Sequence, residues 1–226
     1  MYIKNRRLGF TLAEVLITLG IIGVVASMTM PALNQKISDQ KNMSSLKKTY
    51  SVLQQVTNLV ASQDEELEYW FVEDNNQEAV DTLYGYYKQY FNVLRACPNT
   101  SGCWAYPTKY LDGRVYWRKH NPSWYQYSFT LSDGVNVLFD IYDTANMPNF
   151  GVDVDYPCLI IWVDVNSDKL PNQIGRDVFA FVVTRRALVP AGVDADIVGS
   201  NCNTKQLGWT CTAKIIREGW KINYLK

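Results

Sequence analysis

The chain has 226 residues, with 22 basic and 22 acidic side chains and a formal net charge of zero. This balance gives no support for nucleic acid as a partner, because nucleic-acid-binding domains carry a basic excess. The single histidine, His120, excludes a metal site built from two histidines of one chain. We expect no enzyme, since the sequence has no glycine-rich phosphate loop, Gly-x-Ser-x-Gly or zinc-type Cys-x-x-Cys motif.

A basic leader precedes a long apolar segment at the N-terminus. The leader, residues 1–9, carries three basic side chains, and the apolar run continues to about Leu33. A helix of about 20 residues crosses a bilayer core of about 30 Å, so residues 10–33 are predicted to span a membrane once. Lysine and arginine stay on the cytoplasmic side, which predicts that the rest of the chain lies outside the cytoplasm.

One carboxylate interrupts this apolar segment. Glu14 is the only charged residue between Phe10 and Leu33. A carboxylate in a bilayer is unfavourable by roughly 2.5–3.5 kcal/mol on insertion scales and usually has a partner. No basic residue within the apolar segment can supply one.

The stretch Gly9-Phe10-Thr11-Leu12-Ala13-Glu14 resembles the prepilin cleavage and methylation motif of type IV pilins and type II secretion pseudopilins. The resemblance covers only about the first 35 residues, and a plain signal anchor is the alternative. It implies that a prepilin peptidase cuts after Gly9 and methylates Phe10. It further implies that Glu14 pairs with the N-terminal amine of a neighbouring subunit in a helical fibre.

The globular part is predicted to be an α+β, pilin-like domain of residues 63–226. The N-terminal helix should cover residues 10–62, because apolar residues recur beyond the membrane at three- and four-residue steps, with a possible bend near Pro31. This amphipathic part should pack on an antiparallel sheet. Asn75 and Glu78 suggest a capping box for a second helix over residues 77–95.

Most of the remaining elements are predicted to be strands. Residues 124–131 and 135–142 flank Ser-Asp-Gly and indicate a hairpin, and residues 157–165 and 178–184 form two apolar strands. Residues 97–122 and 185–201 read as loops. Near the end we expect a short helix over 211–218, stopped by a glycine, and a last strand over 220–224.

Five cysteines in an exported domain suggest disulfide bonds. Cys97 and Cys103 flank one short loop, and Cys202 and Cys211 flank another. We predict these two local pairs among the possible pairings. Cys158 lies in an apolar run and is predicted to be a buried free thiol.

The loop between the last two apolar strands carries oxygen-bearing side chains at alternate positions. Asp164, Asn166 and Asp168 follow the spacing of the first half of an EF-hand loop, and Asp177 could substitute for the missing glutamate. The segment also resembles a loop of many pilin-like secretion proteins. It predicts a weak calcium site, and a hairpin held by Asx-turns is the alternative.

The sequence as a whole predicts a structural subunit, either a minor pilin or a pseudopilin of a type II secretion system. Its expected partners are the prepilin peptidase, other subunits and the bacterial inner membrane, and its later location is a pilus or pseudopilus. A pilus-borne binding module, such as an adhesin or a DNA-uptake pilin, is the second hypothesis. A membrane-anchored exported enzyme is the third.

Overall fold

The computed structural model describes residues 11–63, 76–98, 102–117 and 125–225. The chain divides into two compact units, Met1–Gln40 and Lys41–Lys226. Gly9 and Phe10 of the expected cleavage site lie outside the described residues, as do Asn75 and His120.

Helix α1 spans Leu12–Gln63 and runs through Pro31 without interruption. In the first unit nearly all of its side chains are exposed, including Leu16, Ile22 and Met28 at 61%, 63% and 74%. The described residues contain one helix that is long and apolar enough to cross a bilayer by these two criteria. An exposed apolar helix of this kind needs lipid or other helices around it.

In the second unit, α1 is amphipathic as predicted. Its buried positions recur at three- and four-residue steps, which places them on one helix face; they include Leu46, Leu53, Val56 and Val60. Helix α2, Gln77–Lys88, begins at the N-cap Asn76, whose side-chain oxygen accepts a hydrogen bond from the Ala79 N–H.

Six antiparallel strands form the main sheet in the order β1-β4-β5-β6-β7-β8, and β2 and β3 form a separate pair. Their bounds are β1 Val93–Pro98, β2 Thr108–Lys109, β3 Val115–Trp117, β4 Gln126–Leu131, β5 Asn136–Tyr142, β6 Cys158–Asp164, β7 Val178–Val183 and β8 Leu188–Pro190. A 3-10 helix covers Thr144–Phe150, and two short helices follow the sheet, α3 Ala195–Val198 and α4 Cys211–Arg217. This α+β arrangement, a long N-terminal helix and an antiparallel sheet, confirms the predicted fold class.

The two faces of the sheet contribute to two different cores, because successive side chains of a strand point in opposite directions. Phe139, Ile161 and Phe181 pack with α1 and α2. Trp162 of β6 belongs to the other core, where its ring centroid lies 5.4 Å from Trp117, 5.6 Å from Phe150 and 5.9 Å from Trp209. This aromatic layer allows the central strands to be buried on both faces.

The predicted hairpin, the two apolar strands and the helix near the C-terminus are all present. Four other predictions are wrong. Helix α2 ends at Lys88 instead of continuing to Arg95, because residues 93–98 pair with β4 as an edge strand. Leu94, expected on the apolar helix face, is 71% exposed.

The supposed loop 97–122 contains β2 and β3, and the supposed loop 185–201 contains β8 and α3. The last strand, expected over 220–224, is not formed. Trp220 has a φ of +63°, which interrupts an extended backbone. The side chains of Trp220, Ile222 and Tyr224 pack against the core instead.

Disulfides join Cys97 to Cys103 and Cys202 to Cys211, with Cα separations of 5.8 and 4.8 Å. These are the pairs expected from the sequence. Cys158 is a buried free thiol, and burial raises its pKa to about 12. A thiol with such a pKa stays protonated and unreactive at neutral pH.

Candidate functional site

The first turn of α1 holds Glu14 in a reciprocal capping arrangement. The Glu14 Oε2 accepts hydrogen bonds from the Thr11 N–H at 2.8 Å and from the Thr11 hydroxyl at 2.7 Å. The Thr11 Oγ1 in turn accepts a bond from the Glu14 N–H at 3.2 Å. This is the capping box in which a threonine and a glutamate three residues apart satisfy free N–H groups at a helix start.

Glu14 therefore has a partner within its own chain, which the sequence reasoning did not identify. The Thr-x-x-Glu spacing was the signal that could have revealed it. Both hydrogen bonds that the Glu14 carboxylate accepts go to Oε2, and Oε1 accepts no hydrogen bond from the described residues. That second oxygen can receive a donor from outside the chain.

A second candidate site is the loop between β6 and β7. Asp177 is buried and organises it: one of its oxygens accepts bonds from the Asn166 amide and the Asn172 N–H, at 3.0 and 3.1 Å. The other accepts from the Gln173 N–H at 2.5 Å. Asp164 ends β6, and its Oδ1 accepts from the Asn166 N–H at 3.2 Å.

The four predicted metal ligands differ in how deeply they are buried. Asp164 and Asp177 are buried, Asn166 is half-buried and Asp168 is exposed. Within the described ranges, no three acidic, histidine or cysteine side chains gather into a group suited to a metal ion. The structure therefore does not bring the three carboxylates together as a ligand set. Any cation here would need amide or carbonyl oxygens as well.

Both buried carboxyls of this loop have raised pKa values. Burial is the main cause for Asp164, and the nearby Asp177 carboxylate adds to it. Burial raises the pKa of Asp177 to about 6, although hydrogen bonds from Gln173, Asn166 and Asn172 act in the opposite direction. A nearby positive charge would stabilise the ionised form of such buried carboxyls.

A further buried carboxyl lies on β5 and was missed in the sequence reasoning. Asp140 is 7% exposed, and its Oδ2 accepts a hydrogen bond from the Gln126 amide at 2.7 Å. Burial raises its pKa to about 7, against hydrogen bonds from Gln126 and Tyr142. The only available signal was an aspartate in the middle of an apolar strand, which marks a polar group needing a partner.

Comparison with known families supports the N-terminal assignment. Residues 4–30 match the family model described as the prokaryotic N-terminal methylation motif. Neither a curated protein nor a solved structure shows a significant match to the chain. The match covers Glu14 and its capping partner together with the apolar segment that follows. The chain carries the prepilin-type N-terminal motif found in precursors of type IV pilins and pseudopilins.

Proposed function

We propose that the protein is a structural subunit, a minor pilin or pseudopilin, which assembles through its N-terminal helix. The observation that carries this proposal is the coincidence of the methylation motif with an exposed apolar segment of α1 in which Glu14 is the one carboxylate. The processed chain would wait in the inner membrane and then enter a helical fibre. The helices would form the fibre core and the sheet domain its outer layer.

The length of the helix is compatible with both environments. Residues 12–33 span about 33 Å at about 1.5 Å per residue, close to the thickness of a bilayer core. The amphipathic part of α1 is already packed against the sheet. Only the N-terminal part therefore lacks an apolar environment, and lipid or neighbouring helices would provide it.

Processing between Gly9 and Phe10 is the first testable consequence. In cells that contain a prepilin peptidase, the mature protein should begin at Phe10 and carry a methylated amine, as mass spectrometry of its N-terminal peptide would show. Gly9→Leu should keep the leader, because the bulkier side chain blocks the cut. Ile3→Leu, a conservative change within the leader, is the matched control and should be processed normally. A mature protein that begins elsewhere, or an intact Met1, would contradict the proposal.

One surface feature favours the second hypothesis, a pilus-borne binding module. A groove of about 650 Å³ lies between residues 152–156 and the β7–β8 turn, and its lining includes Arg185, Arg186 and Tyr156. The Arg185 guanidinium stacks 4.2 Å from the centre of the Tyr156 ring. If the groove binds a ligand, Arg185→Ala with Arg186→Ala should abolish adhesion or DNA uptake and leave fibre formation intact. If the protein is a purely structural subunit, the double variant should not lose adhesion or DNA uptake while fibres still form.

A further inference from the structure

Three buried side-chain oxygens in the β6–β7 loop have no hydrogen-bond partner among the described residues. They are Oδ2 of Asp164, Oδ1 of Asn166 and Oδ1 of Asn172. Asp164 is 1% exposed and Asn172 is 2% exposed. An unpaired buried polar group costs about 1–3 kcal/mol, and more when it is charged. Each of these three acceptors in one loop therefore needs a partner.

The three residues are tied to one another by the hydrogen bonds that the loop does make. Asn166 and Asn172 are both anchored on the same oxygen of Asp177, through a side-chain amide and a backbone N–H respectively. Asp164 is bound to the backbone of Asn166. The free oxygens thus belong to neighbouring groups, and Asp177 fixes them in place without offering a free oxygen of its own.

The backbone of the loop is also held by the segment around β2. The Lys109 N–H donates to the Asn172 carbonyl, and the Ile174 N–H donates to the Lys109 carbonyl, both at 2.9 Å. The Gln173 amide donates to the carbonyls of Tyr110 and Leu111, at 3.2 and 3.0 Å. The acceptors are therefore held before any ligand arrives, which lowers the entropic cost of binding.

The nature of the missing partner follows from its chemistry. All three free atoms are acceptors, so the partner must be a donor or a cation. A single water molecule donates two hydrogen bonds and leaves the third oxygen unpaired. A hard cation would account for all three acceptors with one partner, because carboxylate and amide oxygens are the ligands it prefers.

We propose that this loop binds a calcium ion through the side-chain oxygens of Asp164, Asn166 and Asn172, with backbone carbonyls and waters completing the shell. Calcium accepts six to eight oxygens in flexible geometry, including asparagine carbonyls, whereas magnesium requires near-ideal octahedral geometry. Asp177 does not bind the ion directly; its carboxylate adds negative charge and orients Asn166 and Asn172 through hydrogen bonds. The exposed Asp168 is not a ligand. This proposal is independent of the assembly role described above.

The test is calcium titration of the full-length protein in detergent, by calorimetry and by thermal unfolding followed through tryptophan fluorescence. We expect a Kd of about 10⁻⁴–10⁻³ M, because the site has a single directly bound carboxylate. Calcium at millimolar concentration should raise the melting temperature, and magnesium at the same concentration should raise it less. A calcium concentration of 10 mM is about tenfold above the weakest expected Kd. Absence of binding heat and of a melting-temperature shift at this concentration would overturn the proposal.

Three variants separate this ligand set from its alternatives. Asp164→Asn preserves shape and should weaken calcium binding by at least about tenfold, since affinity follows the charge of the ligands. Asp168→Asn is the matched control and should bind within about threefold of the wild type. Equal calcium responses of Asp164→Asn and the wild type would overturn the proposal, as would loss of binding in Asp168→Asn.

Asn172→Asp gives a prediction of opposite sign and keeps the test open if Asp164→Asn does not fold. Its backbone φ of +50° is tolerated by aspartate as well as by asparagine. A second carboxylate at this position should tighten calcium binding and make folding more calcium-dependent. If Asn172→Asp folds equally well with calcium and with chelator, the buried oxygens have another partner and the proposal fails.

Discussion

At the scale of single residues, the buried carboxyls are the features that sequence reasoning located least well. Asp164 and Asp177 stood out because of their spacing in an oxygen-rich loop. Asp140 did not, because its burial arises from pairing between β4 and β5, which brings Gln126 opposite it. A pattern along the chain can mark a polar residue in a strand, but it does not show what lies across the strand.

Asp140 should make the stability of the domain depend on pH. Its pKa is raised from the usual 3.8 to about 7, mainly by burial, so between these values the folded state holds a proton that the unfolded state releases. This contribution is fully present below about pH 4 and is lost as the pH rises toward 7, at up to about 1.4 kcal/mol per pH unit. Asp140→Asn should not show this loss, because the amide cannot ionise and its oxygen can still accept from Gln126.

Chemical unfolding of the wild type and Asp140→Asn between pH 5 and 8 would check this expectation. The variant should gain stability relative to the wild type as the pH rises, with the difference levelling off above about pH 7. Asp153→Asn, at an exposed aspartate, is the control and should follow the wild type. Parallel curves for Asp140→Asn and the wild type would show that Asp140 ionises equally in both states.

At the scale of elements, strong local patterns predicted structure well and non-local pairing decided the rest. Helix α1, the β4–β5 hairpin, β6, β7 and α4 follow from periodicity, turn residues and a helix-stopping glycine. Strand β1 does not, because Leu94 continues the apolar helical period of α2, and the pairing with β4 that makes residues 93–98 a strand is not visible in the local sequence. The short strands β2, β3 and β8 have too few residues for any periodic signal.

The Cys202–Cys211 disulfide should stabilise the region around α4. Cys211 is the first residue of that helix, and the bond closes a loop with a sequence separation of nine. By the loop-entropy model, Cys202→Ser with Cys211→Ser should lower the free energy of unfolding by about 2–3 kcal/mol. Equilibrium unfolding in denaturant, without reductant, measures this difference.

Reductant provides the internal control for the disulfide experiment. It should destabilise the wild type by opening both bonds, and the double variant by less, because only the Cys97–Cys103 bond remains there. A wild type that unfolds identically with and without reductant would show that the bonds contribute nothing to stability. Cys158 should not change this result, since its thiol is buried and protonated.

At the scale of the whole molecule, the chain combines an apolar helix with a domain whose sheet is covered on both faces. Sequence reasoning predicted the helix layer over one face, because the outer part of α1 has a regular apolar stripe. It did not predict the second layer, whose tryptophans come from distant segments: Trp104 and Trp117 before the hairpin, and Trp209 near the end. The second unit packs both faces of its sheet within itself. The exposed apolar N-terminal part of α1 is therefore the candidate assembly element.

The capping arrangement at Glu14 gives two possible reasons for any assembly defect, and two variants distinguish them. Glu14→Ala removes both the cap and the charge. Glu14→Gln removes only the charge, since glutamine also serves in a capping box and can accept from Thr11. Both variants should insert and be processed, because a neutral side chain enters a bilayer more easily.

If the Glu14 carboxylate pairs with the N-terminal amine of a neighbour, both variants should fail to enter fibres. Removing one partner of a buried ion pair costs about 3–5 kcal/mol, so incorporation should fall by more than about tenfold. The measurement is the ratio of subunit in sheared fibres to subunit in membranes, with wild type and Thr11→Ser, which retains the capping hydroxyl, as references. If Glu14→Gln assembles normally while Glu14→Ala does not, helix capping is the contribution of Glu14 and the inter-subunit ion pair is excluded.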